Sequence, residues 1–208
     1  MSDITVKSLD TFQRRRRLGF SLLVLIATTA LLYCGPAFTD ATYQHDLVEI
    51  TGVGLIGIAI IGRLWCTLYI GGRKGGELVI HGPYSITRNP LYVFSAIGAT
   101  GVGAQTGMAS VSVIFGAVTT LAFYIVILRE EVFLRGAFEG RFDAYCASVP
   151  RFFPRLSLYE DIEMSIFYPA RLRSTLRDGF ALFLAAPAFE LIERGQEWGY
   201  LPVFLRMI

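Results

Sequence analysis

Long apolar runs separated by short polar punctuation dominate this chain of 208 residues. Residues 18–38 carry no charge, and Arg14, Arg15, Arg16 and Arg17 stand immediately before them. A basic start and an apolar core also describe a secretory signal peptide, but this run exceeds an ordinary signal core and no small-residue cleavage site follows. The pattern predicts an uncleaved first transmembrane helix ending near Pro36 and Asp40. Residues 39–46 form a short acidic turn in which His45 reads as a solvated loop residue. A second span follows over 47–70, with Glu49 at its start. Gly52, Gly54 and Gly57 suit close helix packing there, while Arg63 is placed to snorkel toward the head groups beside Trp65.

Residues 71–90 are polar and rich in glycine, with turn signals at Gly82-Pro83 and Asn89-Pro90 that demand a defined shape. A short apolar run over 91–105 and a full one over 108–128 then predict a helical hairpin turning through Gly101, Gly103, Gln105 and Gly107. From Arg129 the chain is charged again. Val132, Leu134, Phe138, Phe142 and Tyr145 recur at helical spacing, which predicts an amphipathic helix over 130–145 ending before Val149-Pro150. In the extension, Arg171, Arg173 and Arg177 precede an apolar stretch, 180–189, that is too short to span and is interrupted by Pro187. It reads as an interfacial helix.

These runs predict an all-α, polytopic membrane protein with about four transmembrane helices plus cytosolic amphipathic helices. They divide it into a cytosolic tail (1–17), a membrane core (18–156) and an extension (157–208). Composition agrees, since 53% of residues are apolar and 17% charged, where soluble domains have roughly half and about a quarter. Lys and Arg gather before the first span, within 71–90 and after residue 128, and they are missing from the turns at 39–46 and 101–108. That asymmetry puts both termini in the cytoplasm of a multi-pass membrane protein. A net charge of +2 does not point to nucleic acid. Cys34, Cys66 and Cys146 are too far apart for a zinc motif, and no metal site is expected. The extension offers a contact surface for anionic lipid, a second copy of the chain or another protein.

The hairpin returns the stretch 76–90 and the triplet Arg129-Glu130-Glu131 to one membrane face. A carboxylate there can pair with a cationic ligand, Tyr84 and Tyr92 can stack on a base, and backbone at Gly76 and Gly82 can bond polar edges. Such a site would open to both water and lipid. It would suit a reaction between a soluble cofactor and an amphipathic substrate.

At these residues the chain resembles a known family. Gly76-Glu77-Leu78-Val79, Gly82-Pro83-Tyr84, Arg88-Asn89-Pro90-Leu91-Tyr92, Glu130-Glu131, Phe138-Glu139-Gly140-Arg141-Phe142, Tyr145 and Val149-Pro150-Arg151 are similar to isoprenylcysteine carboxyl methyltransferases, which belong with the integral-membrane phospholipid methyltransferases. The resemblance covers roughly 63–154 and implies S-adenosylmethionine as methyl donor and a lipid or amphipathic acceptor. Carried over by position, Gly76, Glu77, Leu78, Val79, Tyr84, Asn89, Pro90, Leu91 and Tyr92 would line the donor site. Glu130 would be its acidic partner, with Glu131 and Arg129 beside it as catalytic candidates.

There are two departures. The family usually has His where this chain has Asn89, which hydrogen-bonds but does not titrate. The prenylcysteine enzymes place an Arg one turn before the Glu, to hold the acceptor carboxylate, where this chain has Val126. An amine acceptor would need a base, for which Glu131 or His81 is a candidate. The alternative is a non-catalytic membrane protein that keeps the fold and works by binding a ligand or partner. A transporter fits less well, since the spans carry few polar residues.

Overall fold

The computed structural model describes residues 29, 33–36, 43–70, 77–163 and 167–207. Gly76 and most of the stretch 18–38 lie outside these residues. The chain forms two compact units, one of residues 38–190 and one joining 1–37 to 191–207.

In the larger unit, α1 (Tyr43–Ile70) and α4 (Ala109–Phe138) are long and apolar enough to cross a membrane. Between them stand the short α2 (Pro83–Ile86) and the apolar α3 (Pro90–Ala104). Both open on a proline, whose fixed φ and missing N–H suit the first helical turn. Ile50, Val53, Ile58 and Ile61 on α1, and Val113, Leu121, Ile125 and Val132 on α4, are exposed. Apolar faces of this extent belong against lipid or a partner rather than water. Only these two helices meet the length and hydropathy of a span among the described residues.

Helix α3 lies between α1 and α4, and small residues set the approach. A Cβ on Gly101 would stand 2.8 Å from the Gly52 carbonyl, and one on Gly52 would meet Ala104 and Gln105. Gly54 and Gly57 have nothing within 4 Å. Of the three glycines expected to pack, only Gly52 does, because the other two lie on a different side of the helix. His45 also differs from expectation. It is buried in the first turn of α1, where its ring covers Gly107, a residue with φ of 66° that closes the turn of the hairpin.

The helix expected over 130–145 is divided. Helix α4 runs unbroken through Arg129-Glu130-Glu131 to Phe138, Glu139 adopts φ of 44°, and α5 (Gly140–Ser148) starts in a new direction. A left-handed residue ends the α4 hydrogen-bond ladder at that point. Phe142, Tyr145 and Val149 then form a small core joined by Leu78, Leu134, Phe138 and Cys146.

Beyond a one-turn helix at Leu156–Leu158, α6 (Pro169–Phe180) leads through Ala181–Leu184 into α7 (Ala185–Glu197). The Thr175 hydroxyl lies 3.1 Å from that of Thr67, Gly179 sits on Ile60, and Leu182 reaches Gly98. Gly179 lets the backbone come this close, so the segment runs antiparallel along α1. In the smaller unit, β1 (Cys34–Pro36) pairs in parallel with β2 (Leu205–Met207). The expected end of the first span is therefore extended chain, and this strand pair is the exception to the all-α reading.

Candidate functional site

The two loops at the ends of the hairpin are tied together. Gly82 turns with φ of 60°, and its missing Cβ leaves room for the Tyr69 ring, which would stand 2.4 Å from such an atom. Its N–H donates to the Glu160 carbonyl at 2.7 Å, and the Arg155 N–H donates to Ile86 at 2.9 Å. The Thr87 hydroxyl donates to the Phe152 carbonyl, and Arg88 N–H to that of Pro150. Asn89 Nδ2 donates to the Arg151 carbonyl at 2.9 Å. At this position, where the family usually has His, the side chain acts as a hydrogen-bond donor to backbone, which a non-titrating amide can do. The Tyr145 hydroxyl donates to the Tyr84 carbonyl at 2.6 Å. Residues 82–89 thus rest on a strap formed by 145–160.

Adjacent carboxylates on α4 project about 100° apart, as helix geometry requires, and they serve different partners. Glu130 Oε1 accepts a 2.8 Å hydrogen bond from the Tyr92 hydroxyl. Tyr92 in turn lies against Phe123, with ring centroids 4.8 Å apart. Glu131 is buried and accepts from Arg151 Nε at 3.0 Å and from Arg151 Nη2 at 2.9 Å, with Arg88 Nη2 3.5 Å away. The Arg151 guanidinium also lies 5.7 Å from the centre of the Tyr124 ring. A bidentate pair of this kind is geometrically specific, and it fixes the end of α4 to the strap.

Tyr84 completes the site. It is 6% exposed and its hydroxyl has no hydrogen-bond partner. Burial pushes this phenol well above its ordinary range, and Cys66, Tyr145, Tyr92 and Glu130 near it add to the effect. It therefore remains protonated at all physiological pH, a donor without an acceptor beside an acidic residue. Buried polar groups without partners are uncommon and frequently mark ligand positions.

Tyr84, Tyr92 and Glu130 are brought together, and Asn89, Pro90 and Leu91 form the turn that presents Tyr92. Leu78 packs in the Phe142 core, whereas Glu77 and Arg129 are exposed and Val79 is half-buried. Glu131 is turned into its ion pair. Val126 is buried, one turn before Glu130. His81 has a buried Nδ1 without a partner. Arg88, Phe123, Tyr145 and Arg151 also hold the site in place and are not among the site residues expected from the sequence. Arg88, Tyr145 and Arg151 all lie in quoted motif segments, but their partners are set by loops that meet only in three dimensions.

The family model described as phospholipid methyltransferase matches residues 58–141. The cobalt-zinc-cadmium resistance protein CzcN of Cupriavidus metallidurans is 40% identical over 153 residues, covering 74% of this chain and 70% of the relative. The nickel-cobalt-cadmium resistance protein NccN of Alcaligenes xylosoxydans xylosoxydans is 34% identical over 200 residues, covering 95% and 92%. No solved structure matches the chain significantly. Among the described residues, no group of three or more His, Cys, Asp and Glu could hold a metal ion.

Proposed function

Since the chain belongs to the phospholipid methyltransferase family, we propose that it is an integral-membrane methyltransferase that transfers a methyl group from S-adenosylmethionine to a lipid or other amphipathic acceptor. The observation that carries this reading is the Tyr92–Glu130 pair beside the buried, unpartnered Tyr84 hydroxyl. The donor is a sulfonium cation bearing an ammonium group and an adenine ring. A carboxylate, a phenol donor and aromatic surface fit those three features.

When bound, the donor supplies an electrophilic methyl carbon open to direct attack by an oxygen or nitrogen lone pair. Glu130 provides the negative charge that holds the cation. Tyr92 fixes the orientation of that carboxylate, and Phe123 fixes Tyr92. Tyr84 offers its hydroxyl to a polar edge of the donor. The strap from Tyr145 to Glu160 keeps residues 82–89 in place and excludes water. Glu131 acts as a positioning residue, since its carboxylate is occupied by Arg151 and Arg88. Held geometry and exclusion of water supply most of the acceleration in such a reaction.

Lys and Arg placement puts this face of the protein in the cytoplasm, with about four crossings in all. The relatives' names speak of resistance to divalent cations. Methylating an oxyanion head group removes an oxygen ligand for such ions, which is how this chemistry would bear on resistance.

Calorimetry of the detergent-purified protein with S-adenosylmethionine and S-adenosylhomocysteine, with Glu130→Ala alongside, tests the reading. Binding that Glu130→Ala abolishes is expected, followed by methyl transfer into extracted membrane lipid. A parent that binds neither compound would overturn it and favour the non-catalytic alternative.

A further inference from the structure

Arg63 lies inside α1, seven residues before its end at Ile70, about 10 Å deep along the helix axis. A guanidinium inside a membrane helix is costly and marks a functional path by default. The side chain does not rise toward the head groups, as its position in the sequence suggested. Its Nη1 instead donates across to the Ser95 hydroxyl on α3, which donates on to the Leu91 carbonyl at 2.7 Å. No carboxylate lies within ion-pair distance of Arg63 among the described residues. Ser95 satisfies one N–H of a group that carries several, and a neutral hydroxyl leaves the positive charge uncompensated.

This cation belongs to the same end of the bundle as the site above. Ser95 follows Tyr92 by three residues on α3, about 4–5 Å deeper. Cys66, one turn beyond Arg63 on α1, lies near the Tyr84 hydroxyl, whose other neighbours are Tyr92 and Glu130. The Tyr84–Tyr92–Glu130 cluster is thus acidic, while Arg63 brings to the same end of the bundle a cation with no carboxylate partner among the described residues. Thr67 holds the α1 backbone at this level by donating to the Arg63 carbonyl at 2.7 Å. Phe94 covers Gly62 and meets Trp65 edge-on, with ring centroids 6.5 Å apart.

We propose that Arg63 is the head-group site for the acceptor, and that the acceptor is an amphiphile carrying an oxyanion, either a carboxylate or a phosphodiester. The proposal rests on the methyltransferase reading only in calling this ligand the acceptor. A purely cationic amine amphiphile would be repelled there.

The test uses the full chain in detergent with Trp198→Phe, which leaves Trp65 as the one remaining tryptophan. Trp65 fluorescence is titrated with stearic acid brominated on its chain, with the methyl ester of that acid, and with phosphatidylethanolamine bearing brominated chains. Saturable quenching by the acid or the phospholipid, well beyond that by the ester, is expected. Arg63→Gln should raise the half-saturating concentration at least tenfold, and Arg63→Lys should restore most of the loss. Binding of S-adenosylhomocysteine, measured by calorimetry, should be equal in parent and Arg63→Gln, which shows that the variant is folded. The responding oxyanion identifies the source, carboxylate or phosphodiester. Equal quenching by acid, phospholipid and ester, or no effect of Arg63→Gln on any of them, overturns the proposal. If S-adenosylhomocysteine does not bind the parent while Arg63-dependent quenching persists, the donor reading falls and the anion site stands, with near-ultraviolet dichroism then serving as the folding control.

Discussion

The Tyr92 hydroxyl donates to Glu130 Oε1 at 2.8 Å, joining the first turn of α3 to the C-terminal part of α4 across 38 positions of chain. That bond aims one of two adjacent carboxylates into the site, while its neighbour is taken up by arginines.

Glu130→Gln should weaken S-adenosylmethionine binding by about tenfold to a hundredfold, the range expected for loss of a charged hydrogen-bonding partner. Tyr92→Phe should cost less, since the carboxylate remains. Comparing S-adenosylmethionine with S-adenosylhomocysteine by calorimetry locates the charge that Glu130 meets. A larger loss for the sulfonium compound places Glu130 at sulfur, and equal losses place it at the ammonium group common to both.

Glu131 should matter for stability rather than for donor contact. Arg151→Met leaves a buried carboxylate with Arg88 alone at 3.5 Å, and should destabilise by about 1–2 kcal/mol, less than breaking a fully buried pair because Arg151 is partly exposed. Glu131→Gln leaves the two arginines uncompensated. The double variant should be less damaged than the sum of the single variants by at least about 1 kcal/mol. Unfolding titrations in mixed micelles provide the cycle, and strict additivity would refute the pairing.

Glycines on α1 should separate sharply by position. Gly52→Ala places its Cβ 2.4 Å from Gln105 Nε2 and 2.8 Å from the Gly101 carbonyl, and overpacking of this kind costs about 1–3 kcal/mol. Gly57→Ala meets nothing within 4 Å and should be neutral or slightly stabilising, because alanine is the better helix former by about 1 kcal/mol. Thermal unfolding of the two variants checks this directly.

The strap should loosen in acid. The Tyr69 hydroxyl donates to Asp161 Oδ1 at 2.5 Å and the Tyr159 hydroxyl to Oδ2 at 2.9 Å. The Tyr69 bond, then the Ile162 N–H and the Tyr159 bond, hold this carboxyl below the usual carboxylate range. A depressed folded-state pKa contributes stability that is complete above the unfolded value and lost as pH falls through the folded value. Protease sensitivity near Asp161 should stay flat from neutral pH down to the ordinary carboxylate range and rise below it. In Asp161→Asn the acid-dependent rise should vanish.

Residues near in sequence determined much of this protein. The apolar lengths of α1 and α4, the hairpin of α3 and α4, and the turn chemistry at Gly82-Pro83 and Asn89-Pro90 were all readable, because length, periodicity and proline geometry are local properties. The segments carrying Tyr84, Tyr92 and Glu130 were readable as well. Only tertiary structure decided where side chains went. Glu130 and Glu131 have the same chemistry and adjoin in sequence, but the rotation of α4 gives one Tyr92 and the other Arg151. Arg63 could have risen to the head groups, but close packing of α1 on α3 put Ser95 within its reach. Gly52 and Gly57 are equivalent in sequence, and only their angle about the helix axis separates a packed glycine from an open one. His45 was expected in solvent until the Gly107 turn closed over it. In each case the deciding quantity is the orientation of one element against another, set by contacts tens of residues apart that no local pattern encodes.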